Sequence, residues 1–505
     1  MAISKGKLLA ICIVWLILFG CAAVAWRFMG EESAERAKEQ QLEQTSGTSQ
    51  YEHFVDMALD AFSGYAILRS DEFRSELQKQ RIKLTWHDDQ ADYRARLQGL
   101  KSGKYDMATF TIDALIKASA ELNDVPAVIV SIVDETSGAD AIVGNKQTFP
   151  NVDALNRPNV QFVLTSDSPS ETLARVVITN FQLNQISADP FQRTSGPAET
   201  YKQYQNSNAA DPKVFVLWEP YVSRILENDN MHILVDSSRF RGYIVDVLVV
   251  NRDFLAKNQS LVESILGSYY KTAYDYRDKM VSLVMADSAK TGDKLSQSQA
   301  ETLVRGIRWK NTQENFAHFG IHQSESLQHV EDMIYNITSV LKKTKAIQTD
   351  PLDGRANRLY FDNALKTLRD SDFHPGLSDE QITSDQIQLP KLNDSEWNSL
   401  QEVGELNVPQ LVFARGTATL TDSSSFVLDE LVRTLRNWPR YYLMVKGNAS
   451  TRGNAAANAK LAEARAQAAA DYLIAKGVDK NRIRAEGGKP SGQTTVTFVL
   501  GEAPY

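Results

Sequence analysis

The sequence predicts an exported α/β protein of several domains. Three observations carry this prediction. An apolar run lies near the N-terminus, short strands alternate with helical segments through the middle, and a second strand–helix alternation closes the chain. A chain of 505 residues exceeds one ordinary core, so two to four domains are expected. With 43% hydrophobic and 23% charged residues the composition is that of a folded globular chain. The net charge of −8, with no basic stripe, argues against a nucleic-acid partner. Cys12 and Cys21 both lie in the first apolar stretch, so the rest of the chain forms no disulfide.

The first element is LLAICIVWLILFGCAAVAWRF, Leu8 to Phe28, whose only charge is Arg27. Roughly 20 apolar residues span a bilayer. Lys5 and Lys7 precede the run, and Glu31 and Glu32 follow it. The positive-inside rule then places the bulk of the chain in the periplasm. Residues 1–30 are therefore expected to be an uncleaved transmembrane helix anchored in the inner membrane. A lipidated N-terminus at Cys21 is the alternative, opposed by the bulky Phe19 and by the apolar residues beyond the cysteine. Residues 31–50 contain almost no large apolar side chain and read as a polar tether.

From Tyr51 the pattern changes. HFVDMALD and IKLTWHDD read as strands around the helix SGYAILRSDEFRSELQKQ. The helix YRARLQGLKSGK, the strand YDMATF and the helix TIDALIKASAEL follow. Further strands are expected at VPAVIVSIV, AIVG, VQFVLT, KVFVLWE, MHILVD and IVDVLVV. Segments of this length in alternation imply a parallel-rich sheet with right-handed crossovers. Residues 252–345 are helical by pattern. Residues 346–404, with Pro351, Pro375 and Pro390, read as a connecting segment with little core of its own.

Three stretches of the middle region offer chemistry. In TSDSPSETLARV, Ser168 and Ser170 flank Pro169 where a strand gives way to a helix. Free N–H groups there suit an anion or carboxylate, and plain capping is the alternative. In VLWEPYVSR a strand ends in Trp218 and Glu219. Open α/β sheets bind ligands at such strand ends, and an aromatic core with a solvated Glu is the alternative. In LDAFSGYA, Asp60 and Ser63 stand at another strand end, where turn chemistry also accounts for them. His318 and His322, four apart, have the spacing of metal ligands on one helix face. No acid follows His318 and Gly320 interrupts the helix, so no metal or other cofactor is expected.

GLKSGKYDMATFTIDAL, GADAIVG, LTSDSPSETL, VFVLWEPYVS and YIVDVLVVNRDFL, in that order, resemble the periplasmic substrate-binding proteins of nitrate/sulfonate/taurine-type ABC importers, over residues 51–345. The resemblance implies a two-lobed fold closing on a small molecule, with ligand contacts from strand-to-helix loops. It places the contacts at Asp60, Ser63, Thr109, Thr111, Ser168, Ser170, Trp218 and Glu219, with Asp246 at the hinge or the cleft. Were Asp60, Glu219 and Asp246 all to face the cleft, a cationic solute would suit it better than nitrate or sulfonate. The related thiamine-precursor synthases use a Cys-rich motif, which this region lacks.

The C-terminal stretch starts with LVFARG as a strand, continues with a helix whose apolar positions are Phe426, Leu428, Leu431 and Leu435, and proceeds through YYLMVKG, an Ala-rich helix and two last strands. The order is βαβαββ. The F-x-x-G-x-A-x-L start, Gly447, Asn458, L-x-x-x-R-A at Leu461 to Ala466 and the closing Gly-Gly pair resemble the OmpA-like peptidoglycan-binding domain, placed at 405–505. In that family an Asp and an Arg clamp the diaminopimelate of the wall peptide. The Arg matches Arg465, which forks onto a carboxylate or, alternatively, pairs with Glu463 or Asp471 on a solvated face. The Asp position holds Ser450, and the preceding His-Thr falls on Asn448 and Ala449. Wall contact is thus expected from Asn448, Ser450, Asn458 and Arg465.

The expected protein is a non-catalytic, membrane-anchored periplasmic solute-binding protein that also contacts peptidoglycan. An ABC permease or an envelope complex would be its partner. The competing expectation is an envelope scaffold whose modules bind proteins. No phosphate loop, nucleophile elbow or catalytic Cys supports an enzyme.

Overall fold

The computed structural model describes residues 50–505, apart from 182, 220, 240, 292–293, 323–326, 372, 375–376, 378–388, 488–493 and 503–505. The expected anchor at 1–30 and the tether up to residue 49 lie outside the described residues. Among the described ones no helix is long and apolar enough to cross a membrane. The described chain falls into two units. The smaller holds 50–55 and 74–85, the starts of two strands and most of the helix Asp71–Lys79. The larger holds 56–73 and 86 onward.

The first sheet is built from β1 (His53–Leu59), β2 (Ile82–Asp88), β3 (Met107–Thr111), β4 (Ala127–Thr136), β10 (Val245–Asn251) and β11 (Ile307–Trp309), in the order β11-β4-β10-β3-β1-β2. The second holds β5 (Asp140–Asn145), β6 (Gln161–Thr165), β7 (Phe191–Thr194), β8 (Lys213–Trp218) and β9 (Met231–Asp236), in the order β7-β6-β8-β5-β9. β4 and β10 are buried along their whole length, as their near-continuous Val and Ile runs require.

The sheets are mixed rather than parallel-rich. β1 pairs parallel with β3, and β6 with β7 and β8. β10 is antiparallel to both β3 and β4, and β5 to both β8 and β9. The physical reason is the double passage between sheets. The chain leaves the first sheet after β4 and returns in β10, so the returning strand inserts against the leaving one. β7 and β11, of four and three residues, are too short for a periodicity to show.

Residues 346–404 do more than connect. A bridge joins Tyr360 to Ile129 of β4, with Ile129 N–H donating to Leu359 O at 2.8 Å. Leu352, Leu359, Leu365 and Leu368 are buried there.

The C-terminal sheet orders β12 (Gln401–Glu405), β13 (Tyr442–Asn448), β14 (Ile483–Gly487) and β15 (Thr495–Glu502) as β12-β15-β13-β14. With helices Asp422–Arg436 and Ala455–Ala475 this is the expected βαβαββ order. Its first strand is β12; LVFARG contributes only an isolated bridge between Phe413 and Leu420. Leu428, Leu431 and Leu435 are buried, but Phe426 is 71% exposed. The Ala-rich helix has a packing reason. Ala462, Ala466, Ala469 and Ala470 are all buried, and a Cβ on Gly447 would come 2.0 Å from Ala462 O. Small residues on both elements let the helix lie close on β13.

This domain docks on the second-sheet region. The Phe181 and Trp438 rings pack edge to face at 5.3 Å, and Asn407 N–H donates to Asn180 O at 2.8 Å. Arg241 N–H, just before β10, donates to Asn437 O at 2.7 Å.

Candidate ligand-binding cleft and wall-contact loop

The register of the first sheet sets the floor of the cleft. Asp246 on β10 stands opposite Thr111 of β3 on one side and Asp134 of β4 on the other. Opposed side chains share a sheet face, so Thr111, Asp246 and Asp134 form one row. The 3-10 turn Ser63–Tyr65 lies against this row. The Tyr65 hydroxyl donates to Asp246, and Gly64 packs so close to Asp134 that a Cβ would come 2.3 Å from its carboxylate.

At one end of the row, Asp60 accepts from Phe62 N–H at 2.9 Å and pairs with Arg96 at 3.0 Å. Arg96 is fully buried, is also held by Asp89, and lies with its guanidinium 4.9 Å from the Tyr93 ring centre. Burial works against its charge, but Asp89 and Asp60 outweigh that and hold it firmly protonated.

The helix Pro169–Asn180, on the second-sheet side, faces Asp113, which itself follows β3 of the first sheet. Asp113, at the start of the helix Ile112–Leu122, accepts from the Thr172 hydroxyl of the helix Pro169–Asn180. Lys117 pairs with Asp167 across the same gap. Asp140 begins β5 opposite Trp218 and lies near enough to Asp113 for their charges to interact.

Five aspartates thus stand near enough for their charges to interact, each at most 8% exposed: Asp60, Asp113, Asp134, Asp140 and Asp246. Neither Asp134 oxygen meets a hydrogen-bond donor, and Asp113 Oδ1, Asp140 Oδ1, Thr109 Oγ1 and Ser170 Oγ also have no partner. Burial pushes the Asp134 carboxyl up to about 8, the neighbouring Glu135 adding to the rise and Lys310 opposing it. Asp140 is pushed up to about 7 by burial and by Asp113. Asp246 rises well above the carboxylate range through burial and Asp134, and Asp113 rises through burial.

The residues expected from sequence divide. Asp60, Thr109, Thr111, Ser170 and Asp246 are buried in or beside this cluster. Ser63 is half-buried where the turn starts. Ser168 precedes the helix Pro169–Asn180 but donates to Thr165 O at 2.8 Å rather than capping it. Glu219 accepts from Ser223 Oγ at 2.9 Å and so binds the helix Tyr221–Leu226. Of the three acids posed as a test of charge, Asp60 and Asp246 line the cleft and Glu219 is engaged elsewhere.

Tyr65, Tyr93, Arg96, Asp113, Asp134 and Asp140 went unread in the sequence. Asp134 had a signal, since it ends the apolar run of a strand that is buried on both faces. His318 is buried, bonded through Nδ1 to Gln328 O at 2.6 Å. Among the described residues no group of His, Cys, Asp and Glu has the geometry to hold a metal.

The loop after β13 is self-contained. Asn448 Nδ2 donates to Thr495 Oγ1 at 3.2 Å, Ser450 Oγ accepts from Arg452 N–H at 3.1 Å, and Asn458 Nδ2 donates to Ser450 O and Arg452 O at 3.1 and 2.6 Å. Arg465 lies two turns beyond Asn458 on the same helix face. Its Nε donates to Thr417 O at 2.9 Å and its guanidinium covers the Phe413 ring at 4.9 Å. Neither Glu463 nor Asp471 pairs with it among the described contacts.

Residues 412–495 match the OmpA family. A stretch of 75 residues is 31% identical to the peptidoglycan-associated lipoprotein of Rhizobium meliloti (strain 1021). That stretch is 15% of this chain and 43% of the relative, so the chain spans less than half of the curated protein it matches. Among solved structures, the chain is similar to the periplasmic aliphatic sulphonate binding protein of Escherichia coli, at 14% identity and a TM-score of 0.46, covering 62% of this chain and 99% of that one. It is also similar to the periplasmic nitrate-binding protein of Synechocystis PCC 6803, at 10% identity and a TM-score of 0.45, covering 66% and 91%. The chain therefore carries an OmpA domain at its C-terminus, and its structural neighbours over the part before it are sulfonate- and nitrate-binding periplasmic proteins.

Proposed function

We propose that this chain is a periplasmic solute-binding protein of the cell envelope, held to the inner membrane by residues 1–30. Residues 51–345 capture or sense a small molecule, residues 346–404 link, and residues 405–505 contact peptidoglycan. An ABC permease or an envelope complex receives the signal or the solute. The observation that carries the solute reading is the cleft wall of buried polar atoms with no partner, bridged by Asp113–Thr172. A buried polar atom left unpaired costs about 1–3 kcal/mol, a cost that a ligand removes. The reading assigns no catalysis.

Wall contact is supported by the family match and by the name of the relative. Arg465, with Asn448, Ser450 and Asn458, is the proposed contact for a diaminopimelate-type stem peptide. One observation favours the scaffold reading: the loop amides are already bonded internally, and Ser450 brings no charge. Co-sedimentation of the full chain with diaminopimelate-type peptidoglycan decides between them. The expected result is binding that falls roughly 10-fold in Arg465→Ala, the loss of one charged hydrogen bond, and rises in Ser450→Asp. A wild-type chain that stays in the supernatant would favour the scaffold.

A further inference from the structure

We infer that the solute of this cleft is a small organic ammonium cation, seated between Asp113, Asp134 and Asp246 on the first-sheet side and Asp140 on the second-sheet side. The inference rests on reading the cleft as a solute site.

The charge balance comes first. Among the described residues the cations at the cluster are Arg96, saturated by Asp60 and Asp89, and Arg69, held by Asp287 and by the carbonyl oxygens of Asp60 and Phe62. Lys310 lies on the β11 side and is bonded to Glu135 at 2.8 Å. Lys117 sits at the rim on Asp167. Asp113, Asp134, Asp140 and Asp246 are left with no paired cation among the described residues. A sulfonate or nitrate would bring a charge that no unpaired cation of the cluster balances among the described residues.

Second come the empty acceptors. Asp134 and Asp246 face each other across the β4–β10 ladder with both Asp134 oxygens unmet. An ammonium group carries three donors and no acceptor, which is what a wall of unmet carboxylate and hydroxyl oxygens lacks. Thr109 Oγ1, fully buried and unpartnered two residues before Thr111 on β3, adds an acceptor.

Third, the acids do not converge as metal ligands do among the described residues, and Tyr65 brings an aromatic ring to Asp246. Aromatic faces bind organic cations well.

In the empty site a proton occupies the place of the cation. Asp134 is faced by Asp246, Glu135 and Lys310; Asp246 by Asp134, Tyr65, Asp60 and Asp113; Asp140 by Asp113. Binding of an ammonium therefore releases protons, and affinity rises as pH rises through about 7 to 8.

The test is calorimetric titration of the full chain at pH 6 and pH 8.5. The probes are ethanolamine, choline and putrescine, set against ethanesulfonate, nitrate and calcium. The expected result is binding of at least one amine, tighter at pH 8.5, with net proton release. Asp246→Asn and Asp134→Asn should each weaken it roughly 10- to 100-fold, the loss of one charged hydrogen bond. Asparagine keeps the shape and removes a buried charge, so the melting temperature of each empty variant reports whether the fold is intact. Anion or calcium binding without amine binding would overturn this inference and leave the solute reading standing. Silence from every probe would overturn both. Amine affinity unchanged in both variants would place the cation elsewhere and overturn the site.

Discussion

Two regions of the molecule bury charge, and they do so in opposite ways. In the C-terminal domain Arg482 is almost fully enclosed, yet its guanidinium donates to three backbone carbonyls, those of Tyr441, Leu435 and Trp438. Leu435 lies in the last turn of the helix Asp422–Arg436, where a cation also meets the negative end of the helix dipole. In the cleft, Asp134 is as deeply enclosed and meets no donor. Burial pulls both groups toward neutrality. Arg482 falls only to about 10 and stays charged, whereas Asp134 climbs to about 8 and takes a proton. A buried charge that the fold satisfies is structural. One that the fold leaves unsatisfied destabilises the empty protein and is retained for something that arrives later.

The largest effect expected from this contrast is at Arg482. Arg482→Met keeps most of the volume and leaves three carbonyls without their donor. Each buried carbonyl that loses its donor costs about 1–3 kcal/mol, so the C-terminal domain should melt well before the rest of the chain. The loss should be the same at pH 5 and pH 8.5, because Arg482 is protonated at both. Calorimetry of the full chain checks it. A small loss, or one that depends on pH, would mean that the carbonyl cage is not what holds the domain.

Asp134 should behave in the opposite sense. Its folded pKa lies above the unfolded value of about 3.9. The stability it contributes is therefore fully present below about pH 4 and is lost as pH rises through about 8. Asp134→Asn removes that loss. Without added amine the variant should gain on the wild type as pH rises from 5 to 8.5, by about 4 kcal/mol, roughly three units between pH 5 and the folded value of about 8 at about 1.4 kcal/mol each. Urea unfolding at the two pH values measures the difference. A variant less stable than the wild type at pH 8.5 would show that the cleft does not strain against its acids.

The same contrast governs what could be read from the sequence. The C-terminal domain was legible because close packing writes itself into residue size: Gly447, the buried alanines and the run of helix and strand lengths all follow from one tight contact. Phe426 was misread because it fits the apolar spacing of its helix yet points to solvent. The alternation of β and α segments showed two α/β layers. It did not show that β10 returns antiparallel, since strand direction depends on which sheet the chain comes from. Asp60 and Asp246 were found at strand ends. Asp134 and Asp140 were passed over because they stand at the ends of apolar strands, where an acid reads as the start of a loop, and only the register and burial bring them together. Arg96 sits on an ordinary surface-type helix pattern, and nothing local marks its burial.

The smallest effect separates the two sites most finely. The cleft needs a ligand to satisfy it, whereas the loop after β13 is satisfied by Asn458, whose amide holds the carbonyls of Ser450 and Arg452. That loop is half exposed, so water can replace the amide. Asn458→Ala should therefore cost no more than about 1 kcal/mol, the net worth of an ordinary hydrogen bond, and leave the melting temperature nearly unchanged. It should still weaken wall binding, because a loop that must be ordered on contact loses affinity to the entropy of ordering it. Wild-type affinity in Asn458→Ala would mean that the wall is held by Arg465 alone. A fall in affinity with unchanged stability would show that the loop is built in advance for its partner, while the cleft waits for its partner to complete it.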